Sequence, residues 1–312
     1  MINLSWETYK NVVVNHKQSN AKRRYSATAD VLSFRRCPRQ YAFNSERGFV
    51  ASLPNQIFIG TIIHEVLDRA HGYFAGKRDP TTKGKIPTDI DIEDFFTQVE
   101  TALRAQGMRV PENVKKFALK ILTNFNQIEG KDLYPRVVDT EHRLQAERED
   151  YLLYGVVDVL LSGYDKDGNP RKEIWDYKGT HRPKNDKAGI KRMEDYIFQM
   201  QVYANLYKLR NLEYPSKAII YFVGELEEAQ GKRPENAIFE VELSENKIQV
   251  ALEAFDQTVK DINHSRDTQN WPPADGGSIT AGKETCIICD QRWSCTEERD
   301  RHPRRYLGKD EE

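Results

Sequence analysis

Apolar positions change period along the chain. Up to residue 130 they recur every three or four residues, and after 131 they alternate or form short runs. "SATADVLSFRRCPRQYAFNSERG" predicts a first helix, capped by Ser26 or Thr28, with Val31, Leu32, Phe34, Tyr41 and Phe43 inward. "NQIFIGTIIHEVLDRAHGYFAG" predicts a second, with Ile59, Ile62, Ile63, Val66, Leu67 and Ala70 at helical spacing. "AGKRDPTTKGKIPTD" is a loop by composition, and "IEDFFTQVETALRAQG" and "ENVKKFALKILTNFNQIEG" predict two more helices. "RVVDTEHRLQAE", "YLLYGVVDVLLSGY" and "KEIWDYKGT" then predict three strands, the last two joined by a hairpin turn at "DKDGN". A long helix over 189–210, strands at "KAIIYFVGE" and "AIFEVEL", and a helix at "ENKIQVALEAFDQTVKDINHS" follow. The order of elements predicts a mixed α/β (α+β) domain with a helical N-terminal part.

One strand breaks the apolar pattern. "EIWDYKGT" sets Asp176 and Lys178 two residues apart, hence on one face of a strand otherwise built for a core. Centring the preceding turn near Asp167 places Asp158, from "GVVDVLL", opposite Asp176 and on the same face. Two facing carboxylates repel and are costly to bury. A divalent cation resolves the conflict, since Mg²⁺ or Mn²⁺ is held by a few carboxylates plus water and phosphate oxygens. A buried Asp–Lys ion pair beside an unrelated aspartate is the other reading. His64, on an otherwise apolar helix, and Gln199 with Tyr203, four apart on another, are weak signals singly.

Composition narrows the class. The chain has 312 residues, 38% hydrophobic and 30% charged, with net charge −1. No apolar run approaches the roughly 20 residues of a membrane span, and no secretory signal is visible, so a cytoplasmic protein without membrane contact is expected. A general basic coat is absent. Basic residues cluster locally in "AKRRYS", "FRRCPRQ", "HRPKNDKAGIKR" and "RDRHPRRYLGK". Such clusters are either solvated faces or a groove for phosphates. Four cysteines, Cys37, Cys286, Cys289 and Cys295, are not expected to form structural disulfides in the cytosol. Three of them form C-x2-C-x5-C. Four thiolates suit either an iron–sulfur cluster or a tetrahedral zinc.

The ordered set His64 in "GTIIHEVLD", Asp158 in "GVVDVL", Asp176 and Lys178 in "IWDYKGT", and Gln199 and Tyr203 in "QMQVY" resembles the RecB-type nucleases of the PD-(D/E)XK superfamily. The resemblance spans 26–296. It implies a restriction-endonuclease-like core, a central mixed sheet flanked by helices. It also implies metal binding by His64, Asp158, Asp176 and the Tyr177 carbonyl, with Lys178 assisting the attacking water and Gln199 and Tyr203 lining the DNA side. Cys37 and the three later cysteines are similar to the iron–sulfur branch, which includes AddB-type and CRISPR-associated spacer-acquisition nucleases. There, four such cysteines hold a [4Fe–4S] cluster that staples the two ends of the domain, so the cluster is expected over zinc.

The implied organisation is a polar arm over 1–25 and one nuclease domain over 26–296. That domain divides into a helical part (26–130), a core (131–265) and a cluster-binding segment (270–296), and a charged tail follows over 297–312. No G-x-x-x-x-G-K-[ST] run is present, so ATPase machinery is not expected in this chain. A helicase or integrase-type partner in trans would be a separate protein. The expected activity is Mg²⁺- or Mn²⁺-dependent hydrolysis of DNA, at single strands or ends and exonucleolytic rather than sequence-specific; the other readings are a catalytically silent iron–sulfur DNA-binding subunit of a larger complex and a zinc-stapled protein of other function. Arg182, Lys184, Lys187, Lys191 and Arg192, with Arg35, Arg36 and Arg39, are candidates for gripping the DNA backbone. Phosphate contacts of that kind carry little sequence information.

Overall fold

Strand-forming segments collect into one six-stranded sheet in the computed structural model, which describes residues 22–49, 55–274, 285, 286, 289–291 and 295. The strands are β1 (Arg23–Ser26), β2 (Val137–Glu147), β3 (Tyr151–Tyr164), β4 (Pro170–Lys178), β5 (Lys217–Phe222) and β6 (Ile238–Val241). The main order is β1-β3-β4-β5-β6, with β2 also paired to β3. β1 runs parallel to β3 and β4 parallel to β5, and the other pairs are antiparallel, so the sheet is mixed as expected.

β3 organises the sheet. One of its edges pairs with β2 from Leu152 to Leu161. The other is shared, β1 taking Tyr151–Tyr154 and β4 taking Val159–Tyr164. On that second edge the stretch from Gly155 to Asp158 has no ladder partner between the two strands. The sheet therefore opens where Asp158 sits.

Helices cover both faces, which explains why the central strands are apolar on both sides. On one face lie α1 (Asn55–Phe74), α2 (Asp89–Ala105) and α3 (Glu112–Glu129). Their core includes Ile62, Val66, Phe96, Ile121 and Phe125, packed with Val159, Leu161, Trp175, Tyr177 and Tyr221 from the sheet. On the other lie α4 (Lys187–Asn211) and α5 (Glu245–Asp267). Met200, Val202, Leu206, Phe255 and Val259 pack there against Leu153, Leu160, Ile174, Ile220 and Phe222. Local chemistry sets the helix starts. Thr88 and Asp91 form a capping box on α2, and Asp186 and Ser244 cap α4 and α5.

Three local features differ from the sequence expectations. The helix expected from Ser26 is a series of short turns, interrupted at Cys37, whose backbone is extended (φ −162°, ψ 106°). Pro38 disfavours helical geometry in the residue before it. Cys37 instead caps the next turn, its sulfur accepting from the Gln40 N–H at 3.4 Å. β1 straddles the boundary of the expected arm, and the rest of that arm, 1–21, lies outside the described residues, as do 50–54 and 297–312. The strand at "KAIIYFVGE" ends at Phe222 and turns into a 3₁₀ helix over Val223–Glu228. Of the cluster-binding segment, 275–284 and several later positions also lie outside the described residues.

Candidate active site

Asp158 and Asp176 meet where β3 and β4 separate. The last paired residues there are Val159 and Trp175, and continuing that register sets Asp158 opposite Asp176. Asp158 Oδ2 accepts a hydrogen bond from the Tyr177 N–H at 2.7 Å, taking the place of a ladder bond. Its other oxygen lies 3.4 Å from His64 Nδ1 on α1. α1 approaches this closely because Gly179 follows Lys178. A Cβ there would meet Ile63 Cδ1 at 3.0 Å and Ile59 Cγ2 at 3.1 Å.

Lys178 and Gln199 enclose Asp176 from the α4 side. Lys178 Nζ stands 2.6 Å from Asp176 Oδ2. It also donates to Gln199 Oε1 at 2.9 Å, and Gln199 Nε2 donates to Asp176 Oδ1 at 2.7 Å. Oδ2 is buried and meets the Lys178 ammonium in a charge-assisted contact. Lys178 Nζ also lies 4.8 Å from the centre of the Tyr196 ring. Tyr203, one helical turn beyond Gln199, is buried and packs on Gly155, where a Cβ would come within 2.7 Å of the ring. The missing side chain at 155 lets α4 lie close enough for Gln199 to reach Asp176.

Burial and charge set the protonation of these groups. Desolvation pushes the Asp176 carboxyl up, against the pull of Lys178 and with the push of Asp158. Asp158 is also buried, yet His64 and then Lys178 hold it below the usual carboxylate range. For His64, burial works against the cation, but Asp158 and then Asp176 outweigh it and raise the imidazole to about 9. Lys178 is likewise raised, its desolvation outweighed by Asp176 and Asp158. The cluster is thus a crowded pair of carboxylates neutralised by two cations.

Glu141 on β2 belongs beside these residues, and the sequence reading passed it over. Donor atoms of His64, Glu141 and Asp158 all lie within 4.8 Å of one another. β2 reads as an ordinary polar–apolar strand, and its partner residues become known only once it pairs with β3. No periodicity signals that contact.

The basic candidates separate into two groups. Arg35 turns inward: its Nε donates to Thr258 Oγ1 at 2.8 Å, its Nη2 to the Ala254 carbonyl at 2.6 Å, and it stacks over Phe198. Arg39 donates to the Trp271 carbonyl and to Cys295 Sγ, each at 3.3 Å. Arg36, Lys184, Lys187 and Arg192 are exposed. Arg182 lies over the Phe239 ring, and Lys191 pairs with Glu194 at 3.4 Å and Asp195 at 3.9 Å. Of the aromatic residues near the site, Tyr177 and Tyr203 are core residues and Tyr196 is half-buried.

All four cysteines line one cavity, together with Arg39, Gln40, Phe43, Pro273 and Ala274. None is in a disulfide, and Cys286 and Cys295 are buried. Burial raises the Cys289 thiol, with Cys37 and Cys295 among the nearby groups that add to the shift.

Comparison with known proteins agrees with this geometry. Residues 26–296 match the sequence profile described as the PD-(D/E)XK nuclease superfamily. Among solved structures, the "Putative exonuclease" of Eubacterium rectale is similar in fold, with 15% identity and a TM-score of 0.50 over 82% of this chain and 86% of that one. A second structure, SSO0001, overlaps at a TM-score of 0.40 with 11% identity, over 91% of this chain and 89% of that one, too low to carry weight. No curated protein matches the chain. Among the described residues no helix is long and apolar enough to cross a membrane. A mixed sheet opening at Asp158, with Asp176 and Lys178 on the adjoining strand, and a profile match across 26–296 lead to one assignment: the chain belongs to the PD-(D/E)XK nuclease superfamily.

Proposed function

We propose that the protein is a metal-dependent deoxyribonuclease acting on single strands or ends, and that it carries a [4Fe–4S] cluster as a structural staple. The observation that carries the first part is the crowding of buried Asp158 and Asp176 between His64 and Lys178, where the sheet opens. Hard oxygen donors and one imidazole at the mouth of a sheet fit a divalent cation. His64, Asp158, Asp176 and the Tyr177 carbonyl would hold Mg²⁺ or Mn²⁺. Such an ion, when bound, polarises a phosphate oxygen and lowers the pKa of bound water.

The chain's own residues do the rest. Gln199 holds the Asp176 carboxylate and the Lys178 ammonium in fixed relation through two hydrogen bonds. Lys178 presents a positive charge where negative charge gathers on a phosphate under attack. Exposed Lys184, Lys187 and Arg192, near the start of α4 and in the turn before it, and Arg36, whose charge acts on Asp195 of α4, are the candidates for the DNA backbone. Nothing in this set reads base edges, which favours ends or single strands over a defined sequence.

For the cysteines, convergence on one cavity supports a shared inorganic centre. Four thiolates around one cavity suit an iron–sulfur cluster as they suit a tetrahedral zinc, and the resemblance to the iron–sulfur nucleases is what favours the cluster. Arg39, donating to Cys295, would then steady a ligand thiolate.

The test is cleavage of end-labelled single- and double-stranded DNA with Mn²⁺, comparing the protein with Asp176→Ala. Cleavage lowered at least about a thousandfold in the variant supports the proposal. Cluster-loaded protein that cuts no DNA form, or an equally active variant, overturns it. A brown preparation absorbing near roughly 400 nm supports the cluster. A colourless one with stoichiometric zinc rejects it.

A further inference from the structure

Glu141 occupies an awkward position. β2 and β3 pair Thr140 with Val159 and His142 with Val157, so Glu141 stands directly opposite Asp158. Like charges opposed across adjacent strands repel. The backbone at Glu141 is moreover left-handed, with φ 50°, which is uncommon outside glycine. Its neighbours have other occupations: Thr140 Oγ1 donates to Asp68 Oδ1 at 2.5 Å, and His142 lies 2.7 Å from Asp139. The Glu141 carboxylate has no such partner among the described residues. It does lie with His64 and Asp158 so that the three donor atoms are within 4.8 Å of one another.

We propose that Glu141 is a further carboxylate ligand of the divalent-cation site, meeting His64 and Asp158 from β2. The inference rests on the metal-site reading above and extends it by one residue. A cation at that point would turn a repulsive cross-strand pair into a bridged one, and the left-handed turn at 141 would aim the carboxylate at it. One imidazole among carboxylates suits Mn²⁺ better than Mg²⁺, which favours oxygen alone.

The test uses the full chain stripped of divalent cations and titrated with Mn²⁺ in a calorimeter. Wild type is compared with Glu141→Gln, Glu141→Asp, Glu65→Gln and Asp158→Asn. Glu65 is an exposed acid on α1 whose charge also acts on Glu141, so its removal controls for the local field. Direct ligation predicts that Glu141→Gln weakens Mn²⁺ binding at least about tenfold. Glu141→Asp, which keeps the charge but shortens the reach, weakens it too. Glu65→Gln costs less than about threefold, as a screened surface charge should. Equal effects of Glu141→Gln and Glu65→Gln, or unaltered binding by Glu141→Asp, overturn the proposal while leaving the metal site intact. Wild type that binds no Mn²⁺, or Asp158→Asn that binds it normally, overturns the metal-site reading and this proposal with it. The melting temperature of each cation-free variant verifies that it is folded.

Discussion

Lys178 has two roles that oppose each other in any substitution. It neutralises buried Asp176 at 2.6 Å and, under the proposed function, presents its charge to the phosphate. Removing it leaves a buried carboxylate without its counter-charge, a loss of roughly 3 kcal/mol or more. Lys178→Ala should therefore melt well below wild type when cation-free and recover most of that loss on adding Mn²⁺, as followed by thermal unfolding. No recovery would argue against a cation seat at Asp176. Both partners of this pair were legible in the sequence, because a strand's period of two puts residues 176 and 178 on one face. Gln199 was legible only as a neighbour of the site. Its bridging of Asp176 and Lys178 depends on how close α4 lies to β3, and that follows from Gly155 and Tyr203 meeting across the interface.

At the scale of elements, α1 carries two histidines with opposite fates. His64 faces the carboxylates, whereas His71, two turns later, is buried among Phe125, Tyr134 and Tyr177. Its Nε2 lies 3.2 Å from the Tyr177 hydroxyl, and its Nδ1 has no partner. Burial, with a smaller push from Lys77, lowers its pKa to about 3 from an ordinary 6.5. Between those values the unfolded chain binds the proton and the folded one does not, so stability falls as pH drops below about 6.5. The loss from this residue reaches roughly 3 kcal/mol by pH 4. His71→Phe, which keeps the aromatic packing, should flatten that acid limb in urea unfolding at pH 7 and pH 4. An unchanged difference between the two pH values would mean that His71 takes up its proton in the folded protein at pH 4, as it does in the unfolded chain. The sequence marked α1 as a helix with an apolar stripe, and the core position of His71 is a consequence of three elements closing over it.

For the whole molecule, the cysteines join chain segments that lie far apart in sequence. Cys37 sits in the broken helical stretch after β1, and the other three follow α5. Trp271 packs on Phe34 and Tyr41 between them, and Arg39 N–H donates to the Pro272 carbonyl at 3.1 Å. Under the cluster proposal, loss of one ligand removes a constraint across a long loop. Loss of Asp176 is instead a local change, since it removes one of two crowded carboxylates and leaves Asp158 as a counter-charge for Lys178. Cys286→Ser should therefore lower soluble yield and melting temperature more than Asp176→Ala does. Equal yields and melting temperatures would show that the cysteines do not hold the ends together.

The sequence by itself determined the order of helices and strands from Asn55 onward, the shared face of Asp176 and Lys178, and, through the hairpin, the opposition of Asp158 to Asp176. These are properties of local periodicity and short connections, which the chain carries within a few tens of residues. Only the tertiary structure decided the inward turn of Arg35 and Arg39 and the placing of Glu141 against Asp158. Each depends on which strand edge or helix face meets which, and that is settled by packing two cores against one sheet and not by any spacing along the chain.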